Sequence, residues 1–336
     1  MSALVHGGRI DDAMAVYGGD RGRWIDLSTG INPWPYPIPT LGADVWGRLP
    51  EQQRYDACCA AARERYCAPA DAAMSLAPGS QMHIQLLPTL YRPQDVAIVG
   101  FTYQEHAYCW ERAGHSVFVT DGLASAEATA RIIIVVNPNN PDGRIHSREE
   151  LLAVAKRLAV KGGLLVVDEA FADPVPGVTL APYAGRKGLF ILRSFGKFYG
   201  LAGVRLGIAM GEEAIIRELN ERLGPWAVSG PALAIAESAF ADTRWTNRTI
   251  KKLDRERVTL EDALSEAGLT IVGGTPLFTL ASHDDAAEIA DLLARDHILV
   301  RSFPGRPHWL RFGLPATKGR RERLLESLAN AHSAGA

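Results

Sequence analysis

Residues 132–143 read Ile-Ile-Ile-Val-Val-Asn-Pro-Asn-Asn-Pro-Asp-Gly, a β-branched apolar run that ends abruptly in a polar turn. The same design recurs in Leu-Leu-Val-Val-Asp-Glu-Ala-Phe at 164–171 and in Leu-Phe-Ile-Leu-Arg-Ser-Phe-Gly-Lys at 189–197. A helical pattern from Arg148 to Lys161 separates the first two runs. Short, continuous apolar runs that alternate with helices are typical of parallel strands buried on both faces of a sheet. These stretches therefore predict an α/β fold with a mostly parallel sheet.

The flanking sequence predicts three segments. Because further strand-like runs surround the first three, we expect residues 45–240 to form one large α/β domain. Weaker strand and helix patterns predict a small α+β domain over residues 241–336. Residues 1–44 are rich in glycine and proline, and they predict an irregular N-terminal arm. The further runs are Val96–Val99, Ser116–Val119, Leu206–Ala209 and one around Leu76.

The composition predicts an ordinary soluble globular protein. Of its 336 residues, 36 are lysine or arginine and 38 are aspartate or glutamate, which gives a formal net charge of −2. This balance provides no basic field for a nucleic-acid backbone or an anionic membrane, so we expect neither as a partner. The sequence has no signal-peptide pattern and no apolar run that approaches the ~20 residues of a membrane span.

The four cysteines form no C-x-x-C pair and no cluster with histidine at zinc-binding spacing. We therefore predict no metal site and no disulfide framework, and we expect the protein to be cytoplasmic. The cysteines are Cys58, Cys59, Cys67 and Cys109.

Chemically suggestive side chains follow the predicted strands. Asp168 and Lys197 stand at or near strand ends, where sheets of this kind bind their ligands, and Arg205 follows soon after. Each has an ordinary structural explanation when taken alone: a carboxylate that caps a turn, a solvated lysine, an arginine in a surface ion pair. Together they indicate a catalytic site.

This combination resembles the fold-type I pyridoxal-phosphate enzymes of the aminotransferase class I/II superfamily, from about residue 25 to residue 330. The resemblance implies a large domain with a mostly parallel seven-stranded sheet, a small α+β C-terminal domain, pyridoxal 5'-phosphate as cofactor, and a homodimer. The motifs that carry it are Asn-Pro-Asn-Asn-Pro-x-Gly at 137–143, Asp-Glu-Ala-Phe at 168–171, Ser-x-x-Lys at 194–197 and Gly-x-x-Gly-x-Arg-x-Gly at 200–207.

The resemblance implies a role for each residue around the cofactor ring. Lys197 would hold the cofactor aldehyde as a Schiff base and later carry a proton. Asp168 would pair with the protonated pyridine nitrogen, which keeps the ring able to accept electrons from the substrate. Asn140 would donate a hydrogen bond to the ring hydroxylate, and Tyr103 would stack on the ring face. Phe171, also in the cofactor site, replaces a tyrosine that is common in the superfamily.

Two sets of residues are implied for anion binding. The first would hold the cofactor phosphate, with backbone N–H groups at a helix start and an arginine whose fork matches phosphate oxygens. The second would bind the substrate, with Arg311 on its carboxylate and the others on a substrate phosphate. The alternative to substrate binding is a salt bridge for Arg301 and Arg311. For His6 the alternative is a position on a disordered tail. The first set is Gly79, Ser80, Gln81, Ser194 and Arg205; the second is His6, Gly7, Gly8, Asn32, Arg301 and Arg311.

Two departures from the superfamily pattern narrow the expectation. Phe171 cannot bond the ring hydroxyl, and Arg48-Leu-Pro-Glu51 lacks the tyrosine that in many aminotransferases reaches a neighbouring subunit's phosphate. These two features, together with His6-Gly-Gly8 and Leu27-Ser-Thr-Gly-Ile-Asn-Pro33, make the sequence resemble the threonine-phosphate decarboxylases of cobalamin biosynthesis. Those enzymes are close relatives of histidinol-phosphate aminotransferase. The implied activity is decarboxylation of L-threonine O-3-phosphate. The alternatives are a histidinol-phosphate-type aminotransferase and a non-catalytic ligand sensor of the same fold.

Overall fold

The computed structural model describes the backbone of residues 6–334 and the side chains of residues 6–330, so residues 1–5 of the predicted arm lie outside it. The chain forms two compact units. The large unit comprises residues 35–140 and 144–247, and the small unit comprises the chain up to Trp34, residues 141–143 and the chain from Arg248 onward. The domain boundaries proposed at residues 44 and 240 stay a prediction, because compactness alone does not define a domain that folds independently.

Strands and helices alternate through most of the described residues. None of these helices is both long enough and apolar enough to cross a membrane. The strands are β1 (Ile25–Asp26), β2 (Ala73–Ala77), β3 (Asp95–Val99), β4 (Ser116–Thr120), β5 (Ile132–Val136), β6 (Leu164–Asp168), β7 (Leu189–Ser194), β8 (Gly207–Gly211), β9 (Thr270–Thr275), β10 (Phe278–Ser282), β11 (Ile298–Leu299), β12 (Arg301–Phe303) and β13 (Arg306–Gly313). The helices are α1 (Ile10–Tyr17), α2 (Ala43–Gly47), α3 (Gln52–Tyr66), α4 (Ser80–Leu86), α5 (Glu105–Arg112), α6 (Leu123–Thr129), α7 (Arg148–Val160), α8 (Phe195–Phe198), α9 (Glu213–Leu223), α10 (Gly230–Ala241), α11 (Thr243–Glu266), α12 (Ala286–Arg295) and α13 (Lys318–Ala334).

A seven-stranded sheet runs through the large unit in the order β2-β8-β7-β6-β5-β3-β4. The pairs from β4 to β7 are parallel, whereas β8 runs antiparallel to both β7 and β2. Every residue of β5 and β6 is buried, as expected for strands covered on both faces. The mostly parallel sheet predicted from the sequence is confirmed.

The parallel direction of β5, β6 and β7 brings three loops to one edge of this sheet. Val136 pairs with Asp168 in one ladder, and Asp168 pairs with Leu192 in the next. The segments that follow these strands consequently leave the sheet side by side. Helix α7 connects β5 to β6 and begins at a capping box, in which the Ser147 hydroxyl accepts a hydrogen bond from the N–H of Glu150.

The small unit contains two further sheets. One is antiparallel in the order β12-β13-β10-β9, and the other consists of β1 and β11 in parallel. The small α+β part predicted from the sequence is confirmed. Strand β9 was not predicted, because Gly273 and Gly274 interrupt the apolar alternation that indicates a strand.

The prediction of an irregular N-terminal arm was wrong for part of its length. Helix α1 forms there, and its Ile10 and Ala13 are buried in a cluster with Trp24 and Ala294. Apolar residues recur at helical spacing in α1, but the glycines and prolines around it outweighed this short pattern in the prediction. This part of the arm therefore contributes to the core of the small unit.

Candidate active site

One cavity of the large unit lies where β5, β6 and β7 end. All ten residues predicted to hold the cofactor line it, together with Val136 and Ala170. Their role in binding stays a prediction, but the fold brings them together from six separate parts of the chain. The ten are Gly79, Ser80, Gln81, Tyr103, Asn140, Asp168, Phe171, Ser194, Lys197 and Arg205.

Asp168 supplies a buried carboxylate to this cavity, with only 3% of its surface exposed. Its Oδ2 lies 2.9 Å from Nε2 of His106, and its Oδ1 accepts a 3.0 Å hydrogen bond from the backbone N–H of Ala170. Each carboxylate oxygen keeps a further lone pair. The geometry therefore suits a carboxylate that pairs with a cationic ring nitrogen in the cavity.

His106 is a buried neighbour of Asp168 that the sequence reasoning missed. It lies on α5 and is buried, and its ring contacts Asp168 without lining the cavity. A hydrogen bond from the imidazole holds the carboxylate of Asp168 in one orientation. The signal that could have found His106 is its spacing, since it follows the predicted ring-stacking residue Tyr103 by three positions at a helix start.

Lys197 lies on the single-turn helix α8 directly after β7. Phe195 and Phe198 on either side of it are buried and anchor this turn. The Nζ of Lys197 stands 5.6 Å from the centre of the Phe171 ring. Phe171 thus provides an apolar wall beside the amine and, unlike a tyrosine, no hydroxyl.

Arg205 and Ser80 also line the cavity. Two glycines allow close packing around them: a Cβ at Gly79 would lie 2.5 Å from Nη2 of Arg205, and a Cβ at Gly207 would collide with the backbone nitrogen of Ser80. With Ser194, the cavity is lined by one guanidinium-bearing and two hydroxyl-bearing residues. This arrangement suits a phosphate dianion.

A chain of hydrogen bonds orients Tyr103. Its hydroxyl donates to Oε1 of Gln81 at 3.1 Å, and Nε2 of Gln81 donates to Glu105 at 2.8 Å. Burial, and then the nearby Glu105 carboxylate, raise the pKa of Tyr103 well above its ordinary value. The ring is therefore neutral at physiological pH and is fixed by its hydroxyl.

The predicted substrate residues all belong to the small unit. Arg311 on β13 is buried and donates a 2.7 Å hydrogen bond to the carbonyl of Ser28. Arg301 lies opposite it on β12. Burial and then the charge of Arg301 lower the pKa of Arg311 to about 9, so its side chain is still a cation at neutral pH.

Ser28 also forms a hydrogen bond with Gly8, near the start of the described chain. The N–H of Gly8 donates to the Ser28 hydroxyl at 2.7 Å, and this hydroxyl donates to Asp26 at 2.6 Å. Gly7, Gly8 and Arg311 are therefore brought to one serine. His6 is exposed, and Asn32 is buried with its Oδ1 accepting from the N–H of Trp34 at 2.9 Å. That these residues bind a substrate stays a prediction.

Comparison with known proteins gives a consistent result. The family model of aminotransferase class I and II matches residues 68–328. The threonine-phosphate decarboxylase of Sinorhizobium sp is 46% identical over 336 residues, which covers 98% of this chain and 99% of that protein. The threonine-phosphate decarboxylase of Pseudomonas aeruginosa is 43% identical over 324 residues, 96% of each chain. Among solved structures, the fold is similar to that of histidinol-phosphate aminotransferase from Sinorhizobium meliloti in complex with pyridoxal-5'-phosphate, with a TM-score of 0.84. The match covers 100% of this chain and 96% of that one. At 20% identity, it shows a likeness of fold alone.

Proposed function

Since the chain belongs to the family of class I and II aminotransferases, we propose that it is a pyridoxal-phosphate-dependent decarboxylase. Its substrate would be L-threonine O-3-phosphate and its product (R)-1-amino-2-propanol O-2-phosphate, which serves cobalamin biosynthesis. The observation that carries this proposal is the 46% and 43% identity, over nearly the whole chain, to two threonine-phosphate decarboxylases.

The cavity of the large unit fits pyridoxal 5'-phosphate. Asp168 suits its ring nitrogen, Lys197 its aldehyde, Tyr103 its ring face, and Ser194 and Arg205 its phosphate. The absence of a Cβ at Gly79 leaves room for the Arg205 guanidinium beside that phosphate position. When bound, the cofactor supplies an electron sink for the bond pair released at the substrate Cα.

The residues of the chain then have distinct tasks. Asp168 would supply the negative charge that favours a protonated ring nitrogen of the cofactor, and its contact with His106 keeps that carboxylate in place. Lys197 would hold the cofactor aldehyde in the absence of substrate, and with substrate bound its free amine would be available to carry a proton. As carbon dioxide leaves, a proton takes the place of the carboxylate at Cα. We assign the delivery of that proton to Lys197.

For the substrate we propose a division of labour within the small unit. Arg311 would bind the carboxylate, because a guanidinium matches two carboxylate oxygens. Arg301, His6, Asn32 and the backbone of Gly7 and Gly8 would bind the phosphate that distinguishes this substrate from free threonine. The N–H of Gly8 would then exchange the Ser28 hydroxyl for a phosphate oxygen. The support for this assignment is the short contact chain from Gly8 through Ser28 to Arg311, with Arg301 on the adjacent strand.

We propose further that the protein is a homodimer. Trp46 on α2 is 67% exposed and Leu49 just after it is 63% exposed. Leu49 also lines a groove of the large unit, where Val45 and Pro50 lie among charged residues that include Arg48 and Glu51. Large apolar side chains grouped on a surface are usually covered by a partner. We expect a dimer mass in sedimentation analysis and a shift toward monomer in the variant Trp46→Glu/Leu49→Glu.

A cytoplasmic location also remains a proposal. All four cysteines have free thiols, including the buried Cys58 and Cys109. Thiols stay reduced in the cytoplasm, where the glutathione and thioredoxin systems act. Fractionation of the producing cell would test this location.

The reaction is tested by incubating the purified, cofactor-loaded protein with L-threonine phosphate alone. We expect carbon dioxide and aminopropanol phosphate in equal amounts, without any 2-oxo acid. A parallel reaction with histidinol phosphate and 2-oxoglutarate tests the aminotransferase alternative. Faster turnover in that second reaction would replace the proposal, and no turnover in either reaction would favour a ligand sensor.

A further inference from the structure

A buried cluster of charges lies next to the cofactor cavity in the large unit. Its centre is Arg193, which is 2% exposed although arginine is rarely buried. One arm of its guanidinium, Nη1, lies 2.8 Å from Oε2 of Glu169, and the other arm, Nη2, lies 2.8 Å from Oδ2 of Asp173. Both carboxylates are fully buried, and Arg193 is the nearest counter-charge of each.

The rest of the cluster balances the charge and fixes the fork of Arg193. The Tyr66 ring lies 4.2 Å from the guanidinium carbon of Arg193. Arg65 lies 3.5 Å from the second oxygen of Asp173. Glu169 also accepts 2.6 Å hydrogen bonds from the Thr179 hydroxyl and from a backbone N–H. Two cations thus face two carboxylates. Both oxygens of Glu169 accept hydrogen bonds, whereas Oδ2 of Asp173 is held by its ion pair with Arg193 and by no hydrogen bond.

The position of the fork relates this cluster to the cavity. Glu169 follows Asp168 directly, and Glu169 and Asp173 bracket the segment that carries Ala170 and Phe171 into the cavity. Arg193 directly precedes Ser194 and stands four residues before Lys197. Arg193 itself does not line the cavity. Its two arms therefore tie both ends of the segment after β6 to the strand that leads into Lys197.

We propose that Arg193 is a positioning residue for the cofactor: its two-armed ion pair sets where Asp168 and Phe171 stand relative to Lys197. The proposal rests on the cofactor site of the proposed function. It requires the planar fork and not merely a positive charge, since two carboxylates on opposite arms need two donors in fixed geometry. A lysine at this position would satisfy one carboxylate and leave the other displaced.

The test compares Arg193→Lys with the matched variant Arg65→Lys. Both keep the charge of the cluster, but only the first removes a fork that holds two carboxylates at 2.8 Å. We expect Arg193→Lys to raise the dissociation constant of pyridoxal 5'-phosphate about tenfold or more and to change the visible circular dichroism per bound cofactor. Arg65→Lys should change the constant less than about threefold. Asp173→Ala, which removes one arm, should act in the same direction as Arg193→Lys.

These measurements separate positioning from folding and from the reaction itself. If Arg193→Lys loses thermal stability but binds the cofactor with wild-type affinity and dichroism, the residue is structural and the proposal fails. If Arg193→Lys does not reach the far-ultraviolet dichroism of the wild type, Arg193 is a requirement of the fold and the proposal also fails. A wild-type protein that binds no pyridoxal 5'-phosphate would instead refute the cofactor site of the proposed function.

Discussion

Gly79 allows a quantitative test of the cofactor cavity. Its φ is +82° and its ψ is 155°, a conformation almost confined to glycine that costs other L-residues about 1–3 kcal/mol. Its missing Cβ also leaves space for Arg205, because a Cβ there would lie 2.5 Å from Nη2 and 3.0 Å from Cζ of that arginine. The variant Gly79→Ala therefore combines backbone strain with a displaced guanidinium.

The two effects have different consequences. Backbone strain is present with and without cofactor, so it lowers the free energy of unfolding by about 1–3 kcal/mol but leaves cofactor affinity unchanged. Displacement of Arg205 removes a charge-assisted hydrogen bond to the cofactor phosphate, worth about 1.5–3 kcal/mol. We therefore expect the dissociation constant of pyridoxal 5'-phosphate to rise by about ten- to 150-fold in Gly79→Ala.

A second glycine provides the control. Gly177 lies in the same unit with φ +83°, and a Cβ there would meet nothing within 4 Å. Gly177→Ala should lose similar stability in urea denaturation and keep wild-type affinity in absorbance titration of the apoprotein with pyridoxal 5'-phosphate. The reasoning is refuted if Gly79→Ala binds the cofactor like the wild type, or if Gly177→Ala loses as much affinity.

Three further outcomes are expected. Borohydride reduction of the cofactor-loaded protein should attach the cofactor to Lys197, as located by peptide mapping, and labelling of another lysine would contradict the site. Arg301→Ala should raise the KM for threonine phosphate about ten- to a hundredfold without changing cofactor absorbance, because one charge-assisted hydrogen bond to the phosphate is lost. An equal rise in KM for a substrate without a phosphate would show that Arg301 does not bind the phosphate. Burial lowers the pKa of His83 from 6.5 to about 3. Below pH 6.5 the unfolded chain therefore binds a proton at His83 that the folded protein does not. As the pH is lowered further, the free energy of unfolding falls by up to about 1.4 kcal/mol per pH unit. His83→Gln, which can keep the bond to Ser75, should show a shallower fall in urea denaturation between pH 6.5 and 4.5, and equal slopes would contradict this account.

The residues of the cavity could be predicted because their signals are local. Asp168 ends an apolar run, Asn140 lies in a turn of distinctive composition, and Lys197 and Arg205 stand at fixed spacing in one motif. A parallel sheet then brings the ends of such runs to one edge, whatever the details of packing. The order of these residues along the chain, together with the resemblance to the pyridoxal-phosphate enzymes, was therefore enough to predict that they line one cavity.

Helix α1 and the role of Arg193 could not be predicted from the sequence. Helix α1 was missed because eight residues between glycines and prolines carry too little periodicity. Arg193 was quoted in a motif but received no role, since nothing near it in the sequence indicates two carboxylate partners. In the folded chain, those partners lie on the neighbouring segment after β6.

The amino-acid sequence by itself determined the parallel α/β sheet, the edge at which its site lies and the chemical groups that line the cavity, because these depend on apolar runs and on the residues that end them. Only the tertiary structure decided which groups hold those residues in place. His106 and Asp168 are 62 positions apart, and Ser28 and Arg311 are 283 positions apart. Such pairs leave no periodicity in the sequence, because burial and hydrogen bonding join them only once the strands and helices have packed.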